Sequence, residues 1–511
     1  MSSFTRRTFV GGGAGMAASA AAQSAPRPNI LFFMLDQWRF DCLGANGNAI
    51  IRTPHLDRLA ARSANFTQAC VQAPVCVPSR LSFFTGRYPH SHRNRVNYTP
   101  YQQPEPMMQR LLQDAGYATG SVGKLHFHPP TAAHARDTGF DRVLLDDGIR
   151  RTDAYSDYVK WRDANDPDRG VHYRSTVREP PPGGNPFRAA IGREYTPTAW
   201  TARETRRMLR ELAASDRPFF LFSSFFKPHA PHTIPEPYDA LYNDVEVPLP
   251  RKVGLNYIHR LPLPVQKMIL RGTPPYGMDR RMLQWRYRSY YGDVTWLDEE
   301  VGSTLGELDR LGLADSTIVV VSTDHGDQML AHGLFGKNVF FEDSVRIPLL
   351  ASWPGRIRPG AYPDLVETVD LLPSLLELCG LPVPESVQGR SFAALVAGNR
   401  SEYQSRDAQF AENIMPEVIT NGDEGHFFVP GKGVAGVRHP DAKMVRTNRW
   451  KLNYYVGHGG ELYDLEDDPG EWRNLYDDPA HRSVVRDLKG RLLDWLVTAD
   501  ENDQIARHWM I

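Results

Sequence analysis

Pro28-Asn29-Ile30-Leu31-Phe32-Phe33-Met34-Leu35 is apolar from Ile30 onward and stops abruptly at Asp36-Gln37. A run apolar on both faces reads as a central strand of a parallel sheet. Open α/β sheets gather their ligands outside the carboxyl ends of the strands, so Asp36 and Gln37 stand where chemistry is expected.

The same texture recurs. Tyr117–Val122 ends in Gly123-Lys124-Leu125-His126, and Pro218–Phe222 runs on through Phe226 to Lys227-Pro228-His229. Thr317–Val321, the most β-like run of the chain, ends in Ser322-Thr323-Asp324-His325-Gly326-Asp327, and a further strand is expected around Arg346–Trp353. Strand-terminal Asp is common at turns, but several endings in Asp, Gln, Lys and His converge on one edge when the strands are parallel. Between the strands, Thr53-Pro54 starts a helix with Thr53 as its cap. Other helices are expected over Met107–Ala115, Pro197–Ala214 and Thr368–Leu378, closed by Gly380. Leu283, Tyr287, Tyr290, Val294, Leu297, Val301, Leu305 and Leu308 recur in steps of three and four along a long amphipathic helix. Arg150–Tyr195 reads as surface loops over the strand ends, and Pro248–Pro275 as another Pro-rich excursion. After about Gly398, strand-like pieces at Met444–Arg446, Trp450–Val456 and Glu461–Asp464, with a helix at Val484–Thr498, suggest a small α+β lobe. The insertion Glu417–Val437 is expected to fold back over a site.

The 511 residues suffice for one large domain and a smaller one, and 41% hydrophobic with 23% charged residues is ordinary for a globular chain. A net charge of −1 argues against a nucleic-acid partner. Four cysteines make no disulfide framework. Cys42 and Cys70 could pair after export, but buried free thiols suit them and Cys379 better. At the N-terminus, Arg6-Arg7 precedes a Gly/Ala-rich run through Ala22, with small residues at Ala20, Ala22 and Ala25. This resembles a bacterial twin-arginine export signal over residues 1–25, read by the twin-arginine translocase. A periplasmic or secreted mature protein is therefore expected, and no later run is apolar enough for a membrane span.

The second focus is Cys76-Val77-Pro78-Ser79-Arg80-Leu81-Ser82-Phe83-Phe84-Thr85-Gly86-Arg87. It puts a lone thiol just ahead of a helix start, with Pro78 and the potential cap Ser79 in the first turn and Arg80 projecting back towards the sulfur. Unpaired N–H groups there favour anions. Asp36, Gln37 and Asp324 offer oxygen ligands for a hard divalent cation, with His325 a possible nitrogen ligand. Lys124, Lys337 and Arg80 supply positive charge for an oxyanion, and His126 and His229 are candidate general acid and base. His128, His232 and His332 read as structural, while Asn97 and Tyr98 are candidate substrate contacts. No Gly-x-Ser-x-Gly elbow and no Walker-type Gly-Lys-Ser/Thr loop occurs, which removes the commoner hydrolase and nucleotide-binding readings.

Cys76-x-Pro78-Ser79-Arg80 through Thr85-Gly86-Arg87 resembles the signature of the sulfatase family, in the alkaline-phosphatase-like superfamily. Gly123-Lys124-x-His126, Lys227-Pro228-His229, Asp324-His325-Gly326, Gly336-Lys337 and Glu461-Leu462-Tyr463-Asp464-Leu465 follow in the family's order. The resemblance spans roughly Pro28 to Leu496 and implies an α/β fold. Its large, mixed but mainly parallel sheet would lie between helices in a catalytic domain over 26–398, with a C-terminal α+β subdomain and small antiparallel sheet over 399–511. It also implies that Cys76 is converted to formylglycine by a sulfatase-maturing enzyme, with Arg80 holding it. Asp36, Gln37, Cys76, Asp324 and His325 would surround a metal, usually Ca2+, with Mn2+ or Mg2+ as alternatives. Lys124, His229 and Lys337 would contact the sulfate, and His126 would sit beside the nucleophile.

Many sulfatases carry two adjacent acids after the first strand, where this chain has Asp36-Gln37. Aspartate–glutamine also resembles choline-sulfatase-like enzymes and phosphonate monoester hydrolases of the superfamily. Gly123-Lys124-Leu125-His126-Phe127 and Ser79 after Pro78 favour a sulfate ester, and export favours a sulfated carbohydrate over a small molecule. Three hypotheses stand: an exported sulfatase, a phosphonate monoester hydrolase or phosphodiesterase, and a carbohydrate-binding relic whose Cys76 is never converted.

Overall fold

The computed structural model describes residues 27–508 apart from 98, 102–104, 148–155, 169, 180–182, 272–278 and 416–440. The signal segment, Tyr98 and the insertion Glu417–Val437 lie outside the described residues. The apolar run forms β1 (Asn29–Asp36), whose residues after Asn29 are all buried. Its alternation divides the core. Ile30, Phe32 and Met34 enter one cluster with the Cys76 helix and the later half of the chain, whereas Leu31, Phe33 and Leu35 enter another with Trp200, Val294 and Leu297. A strand with solvent on neither face must be apolar throughout, and each large side chain so buried contributes roughly 1.5–3 kcal/mol.

Around β1 stand β2 (Ala64–Cys70), β3 (Ala118–Gly123), β4 (Arg142–Leu145), β5 (Phe219–Pro228), β6 (Thr317–Ser322), β7 (Leu350–Ser352) and β8 (Gly360–Glu367). The order is β4-β3-β5-β1-β6-β7-β2-β8. β7 is the antiparallel member, against both β6 and β2, and the other pairings are parallel. The sheet is thus mixed and mainly parallel, as the sequence suggests. Phe33 lies opposite Ser223 of β5 and Val321 of β6, so three carboxyl ends arrive at one level.

The long helix, Arg280–Arg310, and the Pro197–Ala213 helix cover one face, and the Cys76–Thr85 and Leu371–Leu378 helices cover the other. A second sheet, β9 (Gln409–Ile414), β10 (Asp441–Arg446), β11 (Trp450–Tyr455) and β12 (Gly459–Asp464), is antiparallel in the order β12-β11-β10-β9. Ala442, Met444, Tyr455 and Tyr463 join the main core from one of its faces, while Val445, Leu452 and Leu462 pack on Leu488, Leu492 and Trp495 of the Arg482–His508 helix. Glu342, at the start of the short Glu342–Val345 helix, anchors this second sheet by accepting from both Arg446 of β10 and Lys451 of β11. No helix among the described residues is long and apolar enough to cross a membrane.

Some local expectations change. Thr53 precedes the Pro54–Ala60 helix but makes no side-chain cap; its hydroxyl accepts from Gly44 N and donates to Asp57. Arg150–Tyr195 is not all loop, since Asp157–Asn165 is helical with Ser156 as its cap. All four cysteines are buried and free, Cys42 and Cys70 included.

Candidate active site

Four parallel strands deliver the site. Asp36 closes β1, Lys124 follows β3, His229 follows β5, and Asp324 and His325 lie just past β6. Cys76 is itself the first residue of its helix rather than lying ahead of it, with Val75 at the cap position. Asn97, a candidate substrate contact in the sequence, instead accepts from Val77 N at 3.0 Å and satisfies one of the free donors of that helix start. Ser79 is no cap either: its hydroxyl donates to the Asp324 carbonyl, locking the helix to the end of β6.

Cys76 Sγ lies 3.2 Å from Lys337 Nζ, 3.3 Å from His325 Nε2 and 4.0 Å from Lys124 Nζ. Arg80, fully buried, reaches Asp324 at 2.8 Å, Asp36 at 3.1 Å, the Lys124 carbonyl at 2.7 Å and Ser224 at 3.0 Å. Lys124 also pairs with Asp36. Burial alone would raise the Asp36 carboxyl, but Lys124, His229, Arg80 and Lys337 hold it well below the usual carboxylate range. Burial would likewise raise the Cys76 thiol; Lys124 and Lys337 overcome this and hold it well below the ordinary thiol value. By contrast, burial pushes up the thiols of Cys42, Cys70 and Cys379. The four cysteines therefore divide into one activated position and three inert ones.

The two candidate histidines are both pushed towards the neutral form. Burial lowers His229, and Lys337 and Lys124 lower it further; its Nδ1 donates to the Ala230 carbonyl at 2.7 Å. Burial and then Lys124 lower His126, while the neighbouring Cys76 works against that shift. The Asp147 carboxylate accepts from Leu125 N and His126 N, both at 2.9 Å, and holds His126 at φ 61°. Gln37 has φ 66° at the same edge, so two non-glycine residues hold left-handed backbone where the side chains converge.

Ligand atoms of Asp36, Cys76, Asp324 and His325 lie within 4.8 Å of one another, all buried. His325 Nδ1 donates to the Gly326 carbonyl at 3.0 Å, so Nε2 is the nitrogen that faces Cys76 and the Asp324 carboxylate; burial would lower this ring, but Asp324 raises it above the ordinary histidine value. Asp36 Oδ1 is buried with no hydrogen-bond partner. Two carboxylates, an imidazole nitrogen and an unsatisfied carboxylate oxygen fit a divalent cation. The Gln37 side-chain oxygen, expected among these ligands, accepts from Lys337 at 2.7 Å.

Several contributors escape a sequence reading. Asp327 receives the Gln37 amide and the backbone N–H of Met329 and Gly336. Tyr290 on the long helix donates to the Gln37 carbonyl, and Ser224 braces Arg80 from within β5. Asp327 sits in the strand-end run and carried a signal there; Tyr290 and Ser224 are in positions that read only as core. Lys227 points elsewhere, held by Asp293 and the carbonyls of Pro231 and Thr233. His332 is stacked on Phe341 and Trp472, and His232 packs on Tyr290.

A family model described as Sulfatase matches residues 28–381, and one described as N-sulphoglucosamine sulphohydrolase, C-terminal, matches residues 434–497. An arylsulfatase of Clostridium perfringens is 28% identical over 91% of this chain and 95% of its own. The ulvan-active sulfatase of Formosa agariphila is 28% identical over 91% of this chain and 80% of its own. Among solved structures, the phosphonate monoester hydrolase of Agrobacterium radiobacter superposes with a TM-score of 0.79 at 25% identity, covering 93% of this chain and 96% of that one.

Proposed function

The chain belongs to the sulfatase family and is a sulfuric ester hydrolase, and on that premise we propose that it is exported and cleaves a sulfated carbohydrate through formylglycine at position 76. The observation that carries this reading is the surround of Cys76, whose sulfur meets two lysines and a histidine beside two buried carboxylates. A helix start with lysines on both sides suits a centre that binds and attacks an oxyanion. The carbohydrate follows from the ulvan-active relative, and export from the paired Arg6-Arg7.

Asp36, Asp324 and His325 would hold the metal, Ca2+ first, with Gln37 as a further oxygen donor. A formylglycine hydrate at position 76 would supply an oxygen nucleophile for sulfur, and a cation held by Asp36, Asp324 and His325 would supply the positive charge that polarises it. Lys337 and Lys124 hold the sulfate oxygens as charge builds on them. Burial would lower Lys124, but Asp36 raises it above the ordinary lysine value, so it carries a proton at rest and delivers it to the departing alcohol oxygen. Neutral His229, its Nδ1 proton given to the Ala230 carbonyl, presents Nε2 as acceptor for the hydroxyl that the departing alcohol gains. Neutral His126, beside position 76, takes the proton whose removal releases sulfate and restores the aldehyde. Arg80 holds the carboxylates apart and in register.

Asp36-Gln37 and the Agrobacterium hydrolase favour a second reading, a phosphonate monoester hydrolase. Turnover of an aryl sulfate and an aryl phosphonate monoester by the purified, metal-loaded protein separates them. The sulfatase reading requires the sulfate to be hydrolysed with the higher kcat/KM, and preference for the phosphonate overturns it.

A further inference from the structure

We infer that the substrate carries a second oxyanion, a carboxylate or a further sulfate, and that Arg286 receives it at the Lys337 edge of the reaction centre. The inference deepens the sulfatase reading and rests on it. Arg286 stands on the long Arg280–Arg310 helix, one turn before Tyr290, whose hydroxyl donates to the Gln37 carbonyl. Its neighbour Tyr287 donates to the Met329 carbonyl, in the segment that leads to Lys337. The Arg286 guanidinium lies 4.8 Å from the ring centroid of Phe335, two residues before Lys337, and 5.5 Å from that of Phe187. Lys337 Nζ is in turn 3.2 Å from Cys76 Sγ.

The centre meets solvent along this edge. Cys76, Arg80 and Lys124 are buried, whereas Lys337, Phe335, Phe187 and Arg286 are half-buried. A sulfate held by Lys337 therefore has an open side on which the rest of its substrate can lie, and Arg286 flanks it.

Arg286 is a cation without an anion. Arg39, Arg80, Arg162, Arg406 and Arg446, all buried, each pair with a carboxylate. Among the described residues Arg286 has no acid at ion-pair distance, and its Nε is buried with no hydrogen-bond partner. The Asp327 charge acts on it, but the Asp327 oxygens already accept from Gln37, Met329 N and Gly336 N. Burial outweighs that charge and lowers the guanidinium below the ordinary arginine value. A cation drawn out of water with a donor left unpaired costs stability, and a bound anion removes that cost. Two aromatic neighbours restrain the fork and supply no oxygen acceptor, so it is held ready for the paired oxygens of a carboxylate or sulfate.

The test follows 4-nitrophenyl sulfate and its 3-carboxylate and 3-sulfonate derivatives, the sulfonate presenting the oxygens of a sulfate without a second ester to cleave. In each variant the kcat/KM for a charged ester is divided by that for 4-nitrophenyl sulfate, and comparing these ratios between variants cancels the electronic effect of the substituent. Arg286→Gln should lower the ratio roughly tenfold, the low end for a hydrogen bond to a charged group, and through KM rather than kcat. Arg286→Met, which keeps the packing on the two rings, carries the same expectation, and Arg286→Lys should keep part of the ratio. Arg288 on the same helix already gives its Nε to the Val245 carbonyl, so Arg288→Gln should leave the ratio as it is. A fall for both charged esters supports the inference, and a fall for one alone supports it and names the anion. An unchanged ratio in Arg286→Gln and Arg286→Met, a loss through kcat, or an equal fall in Arg288→Gln overturns it. Turnover of none of the three esters by protein with position 76 converted sinks the sulfatase reading itself. Calorimetric binding of the three to Cys76→Ala then reads Arg286 alone. Tighter binding of a charged ester that vanishes on adding Arg286→Gln supports the inference, and equal binding, or none, overturns it.

Discussion

The Gln37 side chain bridges Lys337 and Asp327: its oxygen accepts from Lys337 Nζ at 2.7 Å and its nitrogen donates to the Asp327 carboxylate. Lys337 is also 3.2 Å from Cys76 Sγ, so Asp327 orients the amide and the amide orients a lysine at the reaction centre. An acid at position 37 would face Asp327 as a like charge. The glutamine thus has a physical reason here beyond metal ligation.

Gln37→Glu is expected to lower kcat/KM for an aryl sulfate at least about tenfold, because a buried donor is lost and two carboxylates are set together. Asp327→Asn alone leaves the amide without its acceptor and should also lower it. Together they rebuild one donor–acceptor pair. The double variant should lose less than the two single losses combined, a coupling of about 0.5–3 kcal/mol in a double-mutant cycle. Simple additivity would show that the bridge does not position Lys337.

Chelation should remove activity and lower Tm, since Asp36 and Asp324 then lose a cation and keep only the neighbouring side chains, Arg80 and Lys124 foremost. Calcium should restore both, by mass action on the folded state. Arg80→Gln leaves two buried carboxylates short of a partner and is expected to cost about 3–5 kcal/mol. That loss should be smaller with calcium present than with chelator. Equal losses in the two conditions would speak against a cation among these carboxylates.

Gly123 precedes Lys124 at φ 94°, and a Cβ there would lie 2.0 Å from the Ser224 carbonyl oxygen, which accepts from Lys124 N. Gly116 has the same φ of 94° but open space around it. Gly116→Ala should cost about 1 kcal/mol of stability and leave kcat intact, as left-handed backbone alone dictates. Gly123→Ala must move the strand end, so its kcat should fall at least about tenfold. Equal activity in the two variants would contradict the placement of Lys124 by this close approach.

Glu461 in β12 accepts from Asn453 at 2.8 Å and Tyr455 at 3.1 Å, and burial pushes its carboxyl up to about 7. The folded state therefore keeps this proton to higher pH than the unfolded chain does. Its contribution is fully present below the unfolded value of 4.5 and is lost as pH rises through about 7. Glu461→Gln removes the titration. Relative to wild type it should gain up to about 3 kcal/mol between pH 5 and pH 8, read from Tm at both pH values. A difference independent of pH would rule this out.

How much was legible depended on where each strand lies. β1, β3, β5 and β6 are buried on both faces, so their apolar runs show through. β2 was not foreseen because Asn65, Thr67 and Gln68 interrupt it, and β8 because Gly360, Ala361 and Asp364 break up an edge strand. β7, three residues long, gives no local sign of its antiparallel direction. β9 carries Glu412 and Asn413 inward, where Glu412 meets His90, Arg95 and Lys443, a pattern no apolar periodicity reveals. Among the site residues, Asp36, Lys124, Asp324 and His325 stood out because strand ends concentrate chemistry. Asp147, Ser224 and Tyr290 act through one or two hydrogen bonds to residues distant in sequence, and such contacts leave no trace in local sequence.

The most direct test is the mass of the tryptic peptide Ser63–Arg80 from active protein, because it holds Cys70 and Cys76 together. Fragmentation should place an aldehyde, or its hydrate, at position 76 and an unchanged thiol at the buried Cys70. A thiol at position 76 in protein that hydrolyses sulfate esters would contradict the account.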